Sequence, residues 1–166
     1  MAQHYYPQKR NTMQTKKTIR KITYFLIFTV LLSFQTITAQ TLEEKVSKAL
    51  TDTSIKTRGK LQKESTKFRF DYHDVYQNDS QAKYLQSNGF HGGGPSWLGI
   101  IYGAFKMGNS DLIDTIEMKV EVTGITFWSD SKEELDMIGR VIAVIKSDEK
   151  VLLESIEYAK EYEMML

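Results

Sequence analysis

The sequence predicts an α+β domain, a small antiparallel sheet with helices packed on it. Three observations predict it. Residues 67–74 alternate apolar and polar side chains with the period of a strand. Residues 115–129 hold two short strand-like runs around a glycine-containing turn, the pattern of a β-hairpin. Residues 95–107, 132–146 and 149–164 carry apolar residues at helical spacing.

Each element follows from its residues. Leu42, Val46, Ala49 and Leu50 have helical spacing, whereas Thr51–Lys67 has few apolar residues and reads as a linker. The stretch 40–66 is therefore expected to be a polar helical and linker segment ahead of a single α+β domain at 67–166. In the strand that follows, Phe68, Phe70 and Tyr72 take one face, and Arg69, Asp71 and His73 the other. Asn78-Asp79-Ser80 reads as a turn or cap, and Gln81–Gln86 as a short helix. Asn88–Gly94 is a backbone-permissive loop. Pro95 pre-organises the first turn of the next helix, which is apolar nearly all round and so expected to be deeply buried. Gly108-Asn109 ends it. In the hairpin, Met118, Val120 and Val122 alternate with Glu117, Lys119 and Glu121, Thr123-Gly124 marks the turn, and Ile125–Trp128 returns. Ser131 and Glu134 have the spacing of a capping box, with Leu135, Ile138, Ile142 and Ile145 on one face of the helix it opens. Ser147-Asp148-Glu149 caps a last helix with Val151, Leu152, Ile156, Ala159 and Tyr162 inward.

Residues 1–39 read as an export signal. Lys9, Arg10, Lys16, Lys17, Arg20 and Lys21 form a basic head, Ile22–Leu32 an apolar middle, and Ala39 the small residue before a cut at Gln40. Met13 opens a head of more ordinary length. An uncleaved anchor is the alternative. A spanning helix needs about 20 apolar residues, and this run holds about a dozen, which favours cleavage. The expected location is periplasmic or secreted, with membrane contact only through this segment.

Six of the 22 basic residues and none of the 21 acidic ones lie in 1–39. The rest of the chain therefore carries 16 basic against 21 acidic residues, a formal net charge of −5. Such a surface disfavours nucleic acid and steers a basic partner. The absence of cysteine excludes disulfides, a cysteine-linked lipid anchor and cysteine-type structural zinc.

Candidate chemistry is sparse. His91-Gly92-Gly93-Gly94 has the letters of a lipase oxyanion loop, but no Gly-x-Ser-x-Gly elbow accompanies it. An anion held by Gly92, Gly93, Gly94 and Ser96 at the helix N-terminus is the milder possibility. Asp71 and His73 can converge on one strand face, yet two ligands are too few for a metal site. No catalytic residue, metal or cofactor is expected. Trp97 and Trp128 are either core residues or aromatic anchors for a partner.

The order of these motifs carries a resemblance. Asn88-Gly89-Phe90-His91-Gly92-Gly93-Gly94-Pro95-Ser96-Trp97-Leu98 leads into an apolar helix. Ile113-Asp114-Thr115-Ile116-Glu117, a Gly124 turn, Phe127 and the Ser131–Leu135 helix start follow. Over about residues 66–160 this resembles the immunity protein 51 family of bacterial polymorphic-toxin systems. The resemblance implies a non-enzymatic protein that binds and blocks a toxin domain. It makes His91, Trp97, Tyr102 and Trp128 the candidate contacts, and the acidic balance suits a basic toxin.

Overall fold

A computed structural model describes residues 40–73 and 80–165. The expected export signal, Ala39 of its cleavage site and the turn at Asn78-Asp79 lie outside the described residues. Helix α1 spans Leu42–Thr51 and begins with a complete capping box. The Thr41 hydroxyl accepts the Glu44 N–H at 3.2 Å, and the Glu44 carboxylate accepts the Thr41 N–H at 3.1 Å. Val46 and Ala49 on its inner side are fully buried.

The linker expected over Thr51–Lys67 is corrected. Strand β1, Lys60–Glu64, lies within it and pairs antiparallel with β2, Lys67–Tyr72. Glu64 faces Lys67, so Ser65-Thr66 is a two-residue turn, with Ser65 at a φ of 54°. Apolar counting missed β1 because it is an edge strand with a single inward apolar residue, Leu61. Its lysines are the charges that keep an edge from pairing with other chains.

Helix α2 spans Ser80–Ser87 and helix α3 Gly94–Met107; α4 is one turn, Leu112–Thr115. The hairpin strands β3, Glu117–Glu121, and β4, Gly124–Ser129, complete a sheet of order β1-β2-β4-β3, antiparallel throughout. The turn sits at Val122-Thr123, one residue before the expected Thr123-Gly124. Gly124 opens β4, where a Cβ would stand 2.3 Å from the His73 ring and 2.6 Å from the Tyr72 carbonyl. The inner sheet face presents Phe70, Tyr72, Ile125 and Phe127, all buried, to α3 and α5.

Helix α5 spans Lys132–Ser147 and α6 Glu149–Glu161. Half of the expected box at Ser131 forms: its hydroxyl accepts the Glu134 N–H. Glu134 instead takes the Ser129 hydroxyl, which itself accepts the Ser131 N–H. Helix α6 ends three residues short of the expected 164. Glu163 turns left-handed at a φ of 57°, and Met164 N–H returns to Ala159 O, a Schellman end. At the end of α3 the left-handed residue is Asn109, not Gly108. Gly108 is small because Val46 approaches within 2.8 Å of where its Cβ would be.

Asp148 joins α5, α6 and α1. It caps α6 through the Lys150 and Val151 N–H groups, and it pairs with Lys45 of α1 at 2.6 Å. The Lys45 hydrogen bond holds its carboxyl below the ordinary 3.8. A depressed folded-state pKa gives stability that is present above the unfolded value and lost as pH falls through the folded one. We expect the gap in melting temperature between wild type and Lys45→Met to be constant at neutral pH and to close below about pH 4. Thermal melts from pH 7 to pH 2 measure it. A gap unchanged at pH 2 would sever the pair from stability.

Candidate functional site

The glycine loop folds against the hairpin tip. Gly89 and Gly92 need positive φ, at 87° and 79°. Gly93 and Gly94 are small for another reason: a Cβ on either would stand 2.1 Å from Val122 O or 2.0 Å from Glu121 O. The loop's amides are taken up inside the protein. Gly92 N–H donates to the Ser96 hydroxyl at 3.0 Å, Gly93 N–H to His91 Nδ1 at 3.2 Å, and Gly94 N–H to Val122 O at 3.1 Å. The three glycine amides of the expected anion site at Gly92, Gly93, Gly94 and Ser96 are therefore already engaged. His91 itself is exposed, and accepting through Nδ1 leaves its ring proton to Nε2.

Trp97 is also corrected. It is fully buried, edge-on to Tyr72 at 5.6 Å between centroids, with Lys146 Nζ 4.7 Å from its ring centre. A side chain with no exposed surface is core packing, not a partner contact. The sequence could not separate the two, because an indole beside a glycine loop fits either role.

Trp128 lies on the outer sheet face, opposite Phe127. Its indole N–H donates to Glu64 at 3.1 Å, and the Arg69 guanidinium lies 5.8 Å from its ring centre. Asp71 organises the same face. It accepts from Arg69 at 2.9 Å, Gln62 at 3.0 Å and Thr126 at 3.0 Å, with His73 at 3.6 Å. A cleft of about 450 Å³ opens beside it, lined by Gly59, Lys60, Arg69, Asp71, Tyr72 and His73. Lys60, Lys67, Arg69 and Lys119 balance Glu64, Asp71, Glu117 and Glu121, so this face has no net sign.

Tyr102 belongs to a different surface. It is half-buried on α3 and meets Tyr162, the residue that caps the end of α6, edge-on at 5.7 Å. Lys106 Nζ sits 5.3 Å from its ring centre and bridges Asp111 and Asp114 at 2.6 and 2.5 Å. Burial and the Asp114 charge push the Tyr102 hydroxyl up. Tyr158, on the same side of α6, is pushed up by burial and by Glu43, Glu154 and Glu161. The result is three tyrosines, half of Tyr162 exposed, set among carboxylates from α1, α4 and α6. Of these the sequence pointed only to Tyr102 as a contact and placed Tyr162 inward, whereas Tyr162 caps α6 with half its surface exposed. The spacing of Glu154, Tyr158, Glu161 and Tyr162 along one helix face was the available signal.

The four expected contacts do not converge. Trp97 is interior, His91 is at the glycine loop, Trp128 is on the outer sheet face, and Tyr102 is in the tyrosine cluster. Among the described residues, no group of three or more His, Asp or Glu side chains could hold a metal ion, and no helix is long and apolar enough to cross a membrane. Compared with family models, curated proteins and solved structures, the chain finds no match.

Proposed function

We propose that this chain is an exported, non-enzymatic immunity-type protein that binds a basic toxin domain and blocks it by occlusion. The observation that carries the reading is the acid-rimmed tyrosine surface of Tyr102, Tyr158 and Tyr162. Each ring presents flat apolar area with a polar hydroxyl at its edge. Tyrosine is among the residues that dominate binding energy at interfaces. Charge chooses between the two surfaces: the outer sheet face is balanced, whereas Glu43, Asp111, Asp114, Glu154 and Glu161 outnumber the paired Lys106 on this one and give it the sign that a basic partner needs. The −5 charge of residues 40–166 and the motif order at 88–135 support the same reading.

The test is co-expression with the toxin encoded by the adjacent gene. Wild type restores growth, and Tyr162→Ala weakens the complex about 10–100-fold by titration while leaving the melting temperature within a few degrees. Failure of the wild-type protein to rescue sinks the proposal. Rescue with unchanged affinity in Tyr162→Ala moves the contact elsewhere.

A second reading, a periplasmic or secreted module for a small anion or peptide, rests on the cleft beside Asp71. Arg69 is spent on Asp71 there, which leaves Lys60 and His73 to meet an anion. We expect a phosphate-dependent rise in melting temperature that Lys60→Ala abolishes. No shift at millimolar phosphate removes this reading.

A further inference from the structure

Gln40 has a place in the fold that the export reading makes chemically distinctive. It is exposed, and its side-chain amide makes no hydrogen bond among the described residues. The next residue, Thr41, is the N-cap of α1, held by the reciprocal box with Glu44. The N-cap of α1 thus directly follows Gln40, the residue that the expected cut at Ala39–Gln40 leaves first. Helix α1 is no ornament: Val46 and Ala49 lie in the core, Lys45 pairs with Asp148, and Arg140 grips its far end.

We infer that the exported chain closes its own N-terminus, Gln40 cyclising to pyroglutamate directly ahead of the Thr41 cap. The inference rests on export with cleavage after Ala39. The step balances within one residue. The neutral α-amine of Gln40 attacks its own side-chain Cδ, a five-membered lactam C–N bond forms, and the Cδ–Nε2 bond breaks. The amine proton leaves with the side-chain nitrogen as ammonia. No oxidant, cofactor or second substrate enters. Only side-chain rotation is needed, and nothing among the described residues holds the Gln40 amide back. The Thr41 N–H that Glu44 accepts belongs to the following peptide, so the lactam leaves the capping box intact.

Two consequences follow from the position. Closure removes a positive charge beside the positive end of the α1 dipole, which disfavours cations there. It also denies an aminopeptidase the free amine it needs, so the chain cannot be trimmed into Thr41 and lose the cap that starts α1. Because the attacking amine must be neutral, closure speeds up as pH rises through about 7.7–8.0.

The experiment expresses the full chain in a host that exports it and recovers the protein outside the cytoplasm. Intact mass and sequencing of the N-terminal peptide are read, with Gln40→Ala processed in parallel. The expected product starts at residue 40, is lighter than the open glutamine form by one ammonia, and resists stepwise degradation from the N-terminus. Gln40→Ala stays open and is degraded. A product starting at an open Gln40 after incubation above pH 8 overturns the inference and leaves the export reading standing. A product that starts elsewhere, or keeps residues 1–39, overturns the inference together with cleavage after Ala39.

Discussion

Gly103→Ala is expected to cost about 3 kcal/mol of unfolding free energy, the upper end of the usual range for a group forced into a packed core. Helices α3 and α6 make the most extensive helix contact in the fold, and they cross almost backbone to backbone. A Cβ on Gly103 would stand 2.0 Å from the Ser155 carbonyl oxygen and 2.8 Å from the Ala159 nitrogen. A Cβ on Gly99, one turn earlier, would stand 2.3 Å from the Met164 carbonyl oxygen. Backbone atoms cannot rotate away as a side chain can, so the helices must separate, and packing on both flanks is lost. Alanine's better helix propensity offsets only about 1 kcal/mol. Gly89→Ala is the internal contrast. Nothing lies within 4 Å of its Cβ position, so only the backbone strain at a φ of 87° is charged. Urea titration of both variants at equal slope decides the matter. A Gly103→Ala loss no larger than that of Gly89→Ala would refute the close crossing.

Arg140→Met is expected to cost about 3 kcal/mol, and Arg140→Lys clearly less. Arg140 is 5% exposed, roughly opposite the Ile138, Ile142 and Ile145 face of α5, on the side that meets α1. Its Nε donates to Ala49 O at 2.7 Å, and its Nη2 donates to Leu50 O at 2.8 Å. These carbonyls end α1 and have no helical partner of their own. The guanidinium satisfies both and sits at the negative end of the helix dipole, which stabilises a cation. Methionine keeps the apolar stem but leaves two buried acceptors bare. Lysine retains the charge and reaches one of them, without the planar fork. The readout is the melting temperature together with amide exchange of residues 46–51. Methionine melting within a degree or two of wild type would show that the carbonyls find other donors.

The elements with strong periodicity were legible in the sequence. The hairpin, α3, α5 and α6 fall where alternation and helical spacing put them, because one face of each is buried against a single core. Strand β1 was not legible, since Lys60–Glu64 offers one apolar residue and owes its place to pairing with Lys67–Asp71. Arg140 was hidden for a different reason. It stands off the Ile138–Ile142–Ile145 stripe, where a charge reads as solvated, and nothing local to residues 132–147 shows that α1 delivers two carbonyls there. In the candidate site, Tyr102 and Trp128 could be named, but not the surfaces they belong to. Trp97 was ambiguous until its neighbours closed over it.

The sequence by itself determined the kind of each periodic element, the absence of cysteine chemistry and the acidity of residues 40–166. These are properties of composition and local spacing, and they survive any arrangement of the elements. Only the tertiary structure decided how side chains of one type are used. It made Gly103 a crossing point, Arg140 a helix cap and Trp97 core, and it left Trp128 and Tyr162 at the surface. The glycine loop shows the reason most plainly. Its free amides, read locally, suit an anion; the hairpin tip, twenty-eight residues from Gly94 at Val122, supplies the carbonyl that takes one of them.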